Sequence, residues 1–128
     1  MADSCPFCNL AQDDIVAANE DFIALRDGFP VSDGHTLLVS RRHVASYFDL
    51  APREVLAMTS LLVSVKATLD DEFSPVAYNI GWNDGAQAGQ TVMHFHLHVI
   101  PRYPDDVEEP RGGIRWIFPD KAPYWQDR

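Results

Sequence analysis

The stretch from Thr91 to Ile100 reads TVMHFHLHVI. Three of the chain's five histidines stand in it at alternate positions, His94, His96 and His98, with Phe95, Leu97 and Val99 interleaved. In an extended chain, residues i, i+2 and i+4 share one face. The pattern predicts a strand over 91–100, stopped by Pro101, with three imidazoles in a row and the apolar side chains turned into a core.

Upstream, Asp21 to Arg26 (DFIALR) and His35 to Ser40 (HTLLVS) read as short strands. Turn signals at Asp27-Gly28-Phe29-Pro30 and Ser32-Asp33-Gly34 separate them. From Pro52 to Glu72, apolar residues recur at Val55, Leu56, Met58, Leu61, Leu62, Val65 and Leu69. That is a helical period, and Pro52 suits a first helical position. Val76 to Trp82 reads as a further strand, followed by the turn-rich loop Asn83 to Gly89 (NDGAQAG). Strands, one long helix, then strands predict an α+β fold with a mostly antiparallel sheet. The 128 residues, 46% hydrophobic and 23% charged, suit one globular domain spanning 1–128. The tail, 105–128, is rich in Pro, Gly and charge yet carries Trp116, Ile117, Phe118 and Trp125. These are expected to pack against something, with a partner subunit as one candidate.

Charge narrows the partners. Ten Lys and Arg against 19 Asp and Glu give a formal net charge of -9. A protein that tracks a nucleic-acid backbone shows a basic footprint, and the densest basic cluster here is Arg41-Arg42, followed by His43. Neither a nucleic-acid polymer nor an anionic membrane is expected as a partner. A small anion held by local donors stays open. No apolar run reaches the roughly 18 residues of a membrane helix. The opening MADSCPFCNL shows no basic-then-apolar leader, so the expected location is the cytoplasm.

Three readings of the histidine row compete. Zinc binds imidazole nitrogen at about 2.0 to 2.1 Å, but i and i+4 of a strand lie about 13 Å apart, so one ion held by all three is awkward. Adjacent pairs remain able to bind metal with outside ligands. In the second reading, a neutral imidazole acts as a nucleophile at pH 7. His96 is the central one, and its neighbours orient its ring, fix its tautomer and donate to phosphate oxygens. Attack on phosphorus would give a phosphohistidine-type intermediate that water resolves. The third reading is three histidines on a solvent face.

Cys5 and Cys8 form a C-x-x-C pair. A disulfide across that step closes too small a loop to stabilise much, and a thioredoxin-like site wants a strand before the motif, where only four residues stand. Zinc would need two further ligands, and free thiols are the simplest alternative.

HFHLHVI (His94 to Ile100) resembles the signature of the histidine triad (HIT) family, in the manner of a small bacterial-type hydrolase. The loop Asn83 to Val92 resembles that family's approach to its triad strand, and Arg26 to Val44 resembles its nucleotide-pocket strands. Gly112 to Trp116 resembles the tail of small bacterial members. The resemblance implies a homodimer of α+β subunits that cleaves nucleotide phosphoesters, phosphoanhydrides or phosphoramidates at the α-phosphate. It implies His96 as the nucleophile and His98 as a donor to the phosphate. His94 completes the triad, and His35 supports it through hydrogen bonds. Asn83, Gln90 and Thr91 fall at positions that contact phosphate or leaving group, and Asp27 at the ribose hydroxyls. Phe7, Leu10 and Leu25 fall around the base, expected to be a purine. Asp27-Gly28 also reads as a plain turn, and Leu10 and Leu25 as core. Some members bind structural zinc through an N-terminal C-x-x-C, which here implies Cys5, Cys8, His43 and His94. On that reading His94 braces the site, and a chelated chain keeps its His96 chemistry while losing thermal stability. No catalytic metal is required, although substrate could arrive as a magnesium complex.

Both anhydride and phosphoramidate chemistry are expected to suit such a site. AGQTV (Ala88 to Val92) and HVIPR (His98 to Arg102) resemble the dinucleoside-polyphosphate branch, and Asp27 the phosphoramidase branch. A nucleotide-binding regulatory module with little turnover is the further alternative, and a zinc hydrolase with metal-bound water another.

Overall fold

A computed structural model describes residues 4–127. Five strands form one sheet: β1 (Ile15–Ala18), β2 (Phe22–Arg26), β3 (Thr36–Ser40), β4 (Ala77–Gly81) and β5 (His96–Arg102). Their order across the sheet is β1-β2-β3-β5-β4, and every neighbouring pair is antiparallel. One helix, α1 (Pro52–Phe73), crosses between β3 and β4. The fold is the expected α+β arrangement, a mostly antiparallel sheet with one long helix.

The sheet's two faces differ in cover. On the first, Phe22, Ala24, Leu38, Leu97 and Val99 pack with Phe95 against Ala57, Met58, Leu61, Val65 and Leu69 of α1. Burying such side chains contributes about 1.5–3 kcal/mol each before entropy is charged. Leu56, counted toward the apolar stripe from sequence, is 72% exposed, and Ala57 takes the inward position. Pro52 starts the helix, where its missing N–H costs nothing. Glu54 reaches back to accept the Ala51 N–H at 2.7 Å, while Arg42 holds the same carboxylate at 2.7 Å. That buried acid was not anticipated.

The last strand departs from expectation. It begins at His96, so residues 91–95 lie outside it, and it runs through Pro101 to Arg102. Pro101 is tolerated for a geometric reason. Its carbonyl accepts from Ser32 Oγ at 2.7 Å, so its nitrogen points to the β3 side, and the last β3 pair is Thr36 with Val99. No ladder bond needs the N–H that proline lacks. Strand β1 was missed because IVAA is short and half-exposed. In the tail, Trp116 Nε1 donates to the Arg111 carbonyl at 2.8 Å and Arg111 lies over the Trp125 ring, while Ile117 and Phe118 remain exposed.

Candidate active site

Register decides which side chains meet on the second face. Val39 lies opposite His96, and Leu37 opposite His98. In turn Ile23 faces Val39 and Leu25 faces Leu37. Opposed residues share a face, so His96 and His98 stand beside an apolar strip. Leu25, Leu37 and Val39 are buried there beneath Phe7 and Leu10 from the N-terminal segment. The Phe7 ring meets His96 edge-on at 4.9 Å between centroids.

The expected row of three imidazoles is a row of two. His94 precedes the strand and its ring is fully buried, with Nε2 2.6 Å from the Ser40 carbonyl. A carbonyl only accepts, so Nε2 carries the proton and Nδ1 keeps its lone pair. Segment 94–95 is tied down by the Phe95 N–H to the Val44 carbonyl at 2.7 Å. The His94 carbonyl in turn lies 2.8 Å from His96 Nδ1. By the same logic His96 carries its proton on Nδ1, and its Nε2 lone pair is available for attack.

A second chain fixes His98. The Val31 N–H donates to His35 Nδ1 at 3.2 Å, so His35 is protonated on Nε2. That nitrogen lies 2.9 Å from His98 Nδ1, which must then accept, leaving His98 Nε2–H as a donor. Burial holds His35 and His98 below the ordinary imidazole range, against a weaker upward pull from Asp27. Both are therefore neutral at pH 7, as two single-proton tautomers require. One face thus presents a nucleophilic lone pair on His96 next to a hydrogen-bond donor on His98, with ring centroids 5.3 Å apart. A tetrahedral phosphorus with charged oxygens suits that pair.

The remaining candidates lie around it. Asp27 sits beside His35, its Oδ2 3.4 Å from His35 Nε2 and its Oδ1 accepting the Phe29 N–H at 2.8 Å. Asn83 is exposed and lines the same cleft as His98. Thr91 is exposed at the end of the preceding loop. Gln90 is buried, and its amide accepts from Gly85 N–H while donating to the carbonyls of Ala45 and Val92. It holds the loop that carries Asn83 and Thr91. The cleft beside His98 has a volume of about 900 Å³ and runs between β4, β5 and the tail. Among the described residues its only Lys or Arg is Arg102, which already makes two bonds of 2.8 Å to Asp106. Sequence reading missed this wall, because nothing in the tail's composition shows that Ile114 and Trp116 return to β4 and β5.

Behind the nucleophile, Cys5, Cys8, His43 and His94 bring one ligand atom each to within 4.8 Å of the others. Cys8 Sγ lies 3.1 Å from His43 Nδ1, and both thiols lie 3.5 Å from His94 Nδ1. Four ligands bound tetrahedrally at zinc–nitrogen and zinc–sulfur lengths stand about 3.3 to 3.8 Å apart. The His94 lone pair, freed by Ser40, points into that group. The donor set fits a closed Cys₂His₂ zinc site in its chemistry and grouping, with His43 Nδ1, 3.1 Å from Cys8 Sγ and 3.0 Å from His94 Nδ1, standing closer in than a bound ligand would.

Comparison with known proteins agrees with the geometry. The family described as HIT domain matches residues 9–105. An uncharacterized HIT-like protein of Mycoplasma genitalium is 38% identical over 104 residues, covering 78% of this chain and 74% of that protein. The asymmetrical bis(5'-nucleosyl)-tetraphosphatase of Schizosaccharomyces pombe is 40% identical over 80 residues, covering 62% of this chain and 44% of that protein. A zinc-bound histidine triad family protein from Mycobacterium smegmatis superposes with a TM-score of 0.73 at 31% identity, covering 83% of this chain and 80% of that one.

Proposed function

This chain belongs to the HIT family, and from that premise we propose that it is a nucleotide hydrolase or nucleotidyl transferase working through a nucleotidyl-histidine on His96. The observation that carries the reading is the pair of tautomers, His96 with a free Nε2 and His98 with a free Nε2–H. The base, a purine, packs on Phe7 and Leu10, the residues that cover Leu25, Leu37 and Val39. Asp27 and its turn flank the ribose, and Asn83 and Thr91 face the phosphates.

In the first step, His96 Nε2 attacks the α-phosphorus. A P–N bond forms, the bond to the leaving group breaks, and the leaving group departs with the electron pair, an amine taking up a proton from solvent as it goes. His98 Nε2–H donates to a phosphate oxygen and stabilises the charge that builds there. The imidazolium formed on His96 keeps its Nδ1–H on the His94 carbonyl. In the second step, water attacks the same phosphorus. The P–N bond breaks, the electrons return to Nε2, the attacking water gives up one proton to solvent, and a nucleoside monophosphate leaves. Zinc at Cys5, Cys8, His43 and His94 would supply structure rather than Lewis-acid chemistry, since four protein ligands leave no open position.

The leading substrate is a dinucleoside polyphosphate, as the fission-yeast relative's activity suggests. A nucleoside phosphoramidate is the second reading, and one observation favours it. Among the described residues, the cleft beside His98 offers no unpaired Lys or Arg for a polyphosphate leaving group, because Arg102 is held by Asp106. We further propose a homodimer in the cytoplasm, with exposed Ile117 and Phe118 covered by the partner.

The test is incubation with adenosine and guanosine polyphosphates and phosphoramidates, with mass spectrometry for a nucleotidyl adduct on His96. Substrate turnover without any adduct, in wild type quenched during the steady state, and persisting in His96→Ala, would overturn the nucleophile. Binding without turnover of any substrate would leave the regulatory module as the answer.

A further inference from the structure

We propose that the Cys5–Cys8 turn is part of the nucleotide pocket, so that zinc at Cys5, Cys8, His43 and His94 sets nucleotide affinity through Phe7. This rests on the nucleotide reading above and adds a role for the metal beyond stability. Phe7 lies between the two cysteines. The turn's backbone bond is local, Cys8 N–H to the Cys5 carbonyl at 3.2 Å, and the Asn9 side chain adds a bond to the same carbonyl at 2.9 Å. Two groups of described contacts join it to the body. The thiols meet Nδ1 of His43 and His94, and Phe7 with Leu10 packs on Leu25, Leu37 and Val39. The same Phe7 ring touches His94 at 6.0 Å and His96 at 4.9 Å between centroids. An ion that locks the thiols therefore locks the ring on which the base packs.

The nucleophile does not depend on that lock. His94 is also fixed from the other side, by Ser40 on its Nε2 and Val44 on the next residue's N–H. Its carbonyl keeps the His96 tautomer whether or not Nδ1 is bound. Loss of the ion frees Phe7 and leaves His96 in place. The base then binds a wall that must first be ordered, and affinity falls while the chemical step persists.

The experiment uses the full chain and adenosine monophosphate as probe. Calorimetry on zinc-loaded and chelator-stripped protein is expected to show roughly tenfold weaker binding after stripping, the scale of one base–aromatic stack. Turnover at saturating substrate is expected to change by less than about threefold. Linkage requires the reciprocal effect, so saturating adenosine monophosphate tightens zinc by the same factor of about ten against a competing chromogenic chelator. Phe7→Ala keeps zinc, binds the nucleotide roughly tenfold more weakly when loaded, and loses the reciprocal effect. Equal affinity of loaded and stripped protein overturns the proposal, as does a Phe7→Ala variant in which the coupling survives. Should the stripped chain unfold, the reciprocal titration on loaded protein decides, and zinc affinity indifferent to the nucleotide overturns it. Failure of the nucleotide to bind any form overturns the nucleotide reading itself, which is a distinct outcome.

Discussion

Replacing His35 with leucine removes the donor that sets the His98 tautomer and leaves most of the space filled. His35 is buried, 3% exposed, and its Nε2–H lies 2.9 Å from His98 Nδ1. Leucine is a better test than alanine, because a cavity at this position could admit a water that donates in place of the imidazole. On the other side, the Val31 N–H loses its acceptor, but Val31 is 71% exposed and solvent replaces it. The damage therefore concentrates on His98. Its Nδ1 becomes an unsatisfied acceptor, or the ring takes the other tautomer and turns a lone pair toward the phosphate. Leaving a partly buried polar atom unpaired costs about 1–3 kcal/mol, and each 1.36 kcal/mol of lost transition-state stabilisation is tenfold in rate. His35→Leu is thus expected to lower kcat by roughly ten- to a hundredfold with KM little changed. His35→Gln, which retains an N–H donor, is expected to recover part of it. Nitrogen NMR of the His98 ring reports the tautomer directly. A His35→Leu protein within twofold of the wild-type kcat, with His98 still protonated on Nε2, would refute the relay.

Four further outcomes follow from the same contacts. His96→Asn is expected to lower turnover by at least about a thousandfold, with adenosine monophosphate binding retained in calorimetry. Glu54→Ala leaves Arg42 without its acid and the first turn of α1 without its cap. Because Arg42 is half-exposed, the loss is set at about 2 kcal/mol rather than a full buried pair's value, a fall in Tm of roughly 6–10 °C by calorimetry. Hydrogen bonding from Arg42 holds the Glu54 carboxyl below its usual range. Its contribution is therefore complete above the ordinary carboxylate pKa and is lost as pH falls through the depressed folded value. His35 and His98 are depressed by burial, so the unfolded chain binds their protons first. Stability is full above the ordinary imidazole pKa and falls as pH drops toward the folded values, with a shallower slope in His35→Leu denaturant titrations.

The periodicities carried most of the fold. Alternation placed Leu97 and Val99 in the core, and the 3.6-residue repeat located α1 almost to its ends. Alternation could not show where β5 starts, because TVM and HFHLH are equally compatible with extension. What decides it is tertiary, the Phe95 N–H bond to Val44 and the His94 bond to Ser40. The roles of His35 and Gln90 depend on the same kind of long-range partner. Gln90 resembled a phosphate contact by position, yet its amide is committed to Gly85, Ala45 and Val92. Ile114 and Trp116 gave no periodic signal, since the tail forms short irregular turns rather than a helix or strand.

The departure at His94 is what makes the alternating triplet useful. Had His94 continued the strand, its backbone groups would have been directed into a neighbouring strand's ladder, as those of the sheet residues are. Because the strand begins with the residue after Phe95, the His94 carbonyl is free to accept from His96 Nδ1 while its ring turns toward Cys5, Cys8 and His43. One residue then joins two tasks, its carbonyl fixing a tautomer and its side chain facing a metal-ligand group. Met93→Pro tests this junction. It removes a backbone N–H from the segment and restricts the conformation of Val92 without touching any histidine. It is expected to reduce kcat more than His94-dependent zinc retention, because the carbonyl's aim is sensitive to small backbone shifts whereas the ring is also held by Ser40. Zinc content by metal analysis and kcat by steady-state assay separate the two. A folded Met93→Pro protein with unchanged kcat, whatever its zinc content, would show that the aim of the His94 carbonyl does not hold the nucleophile.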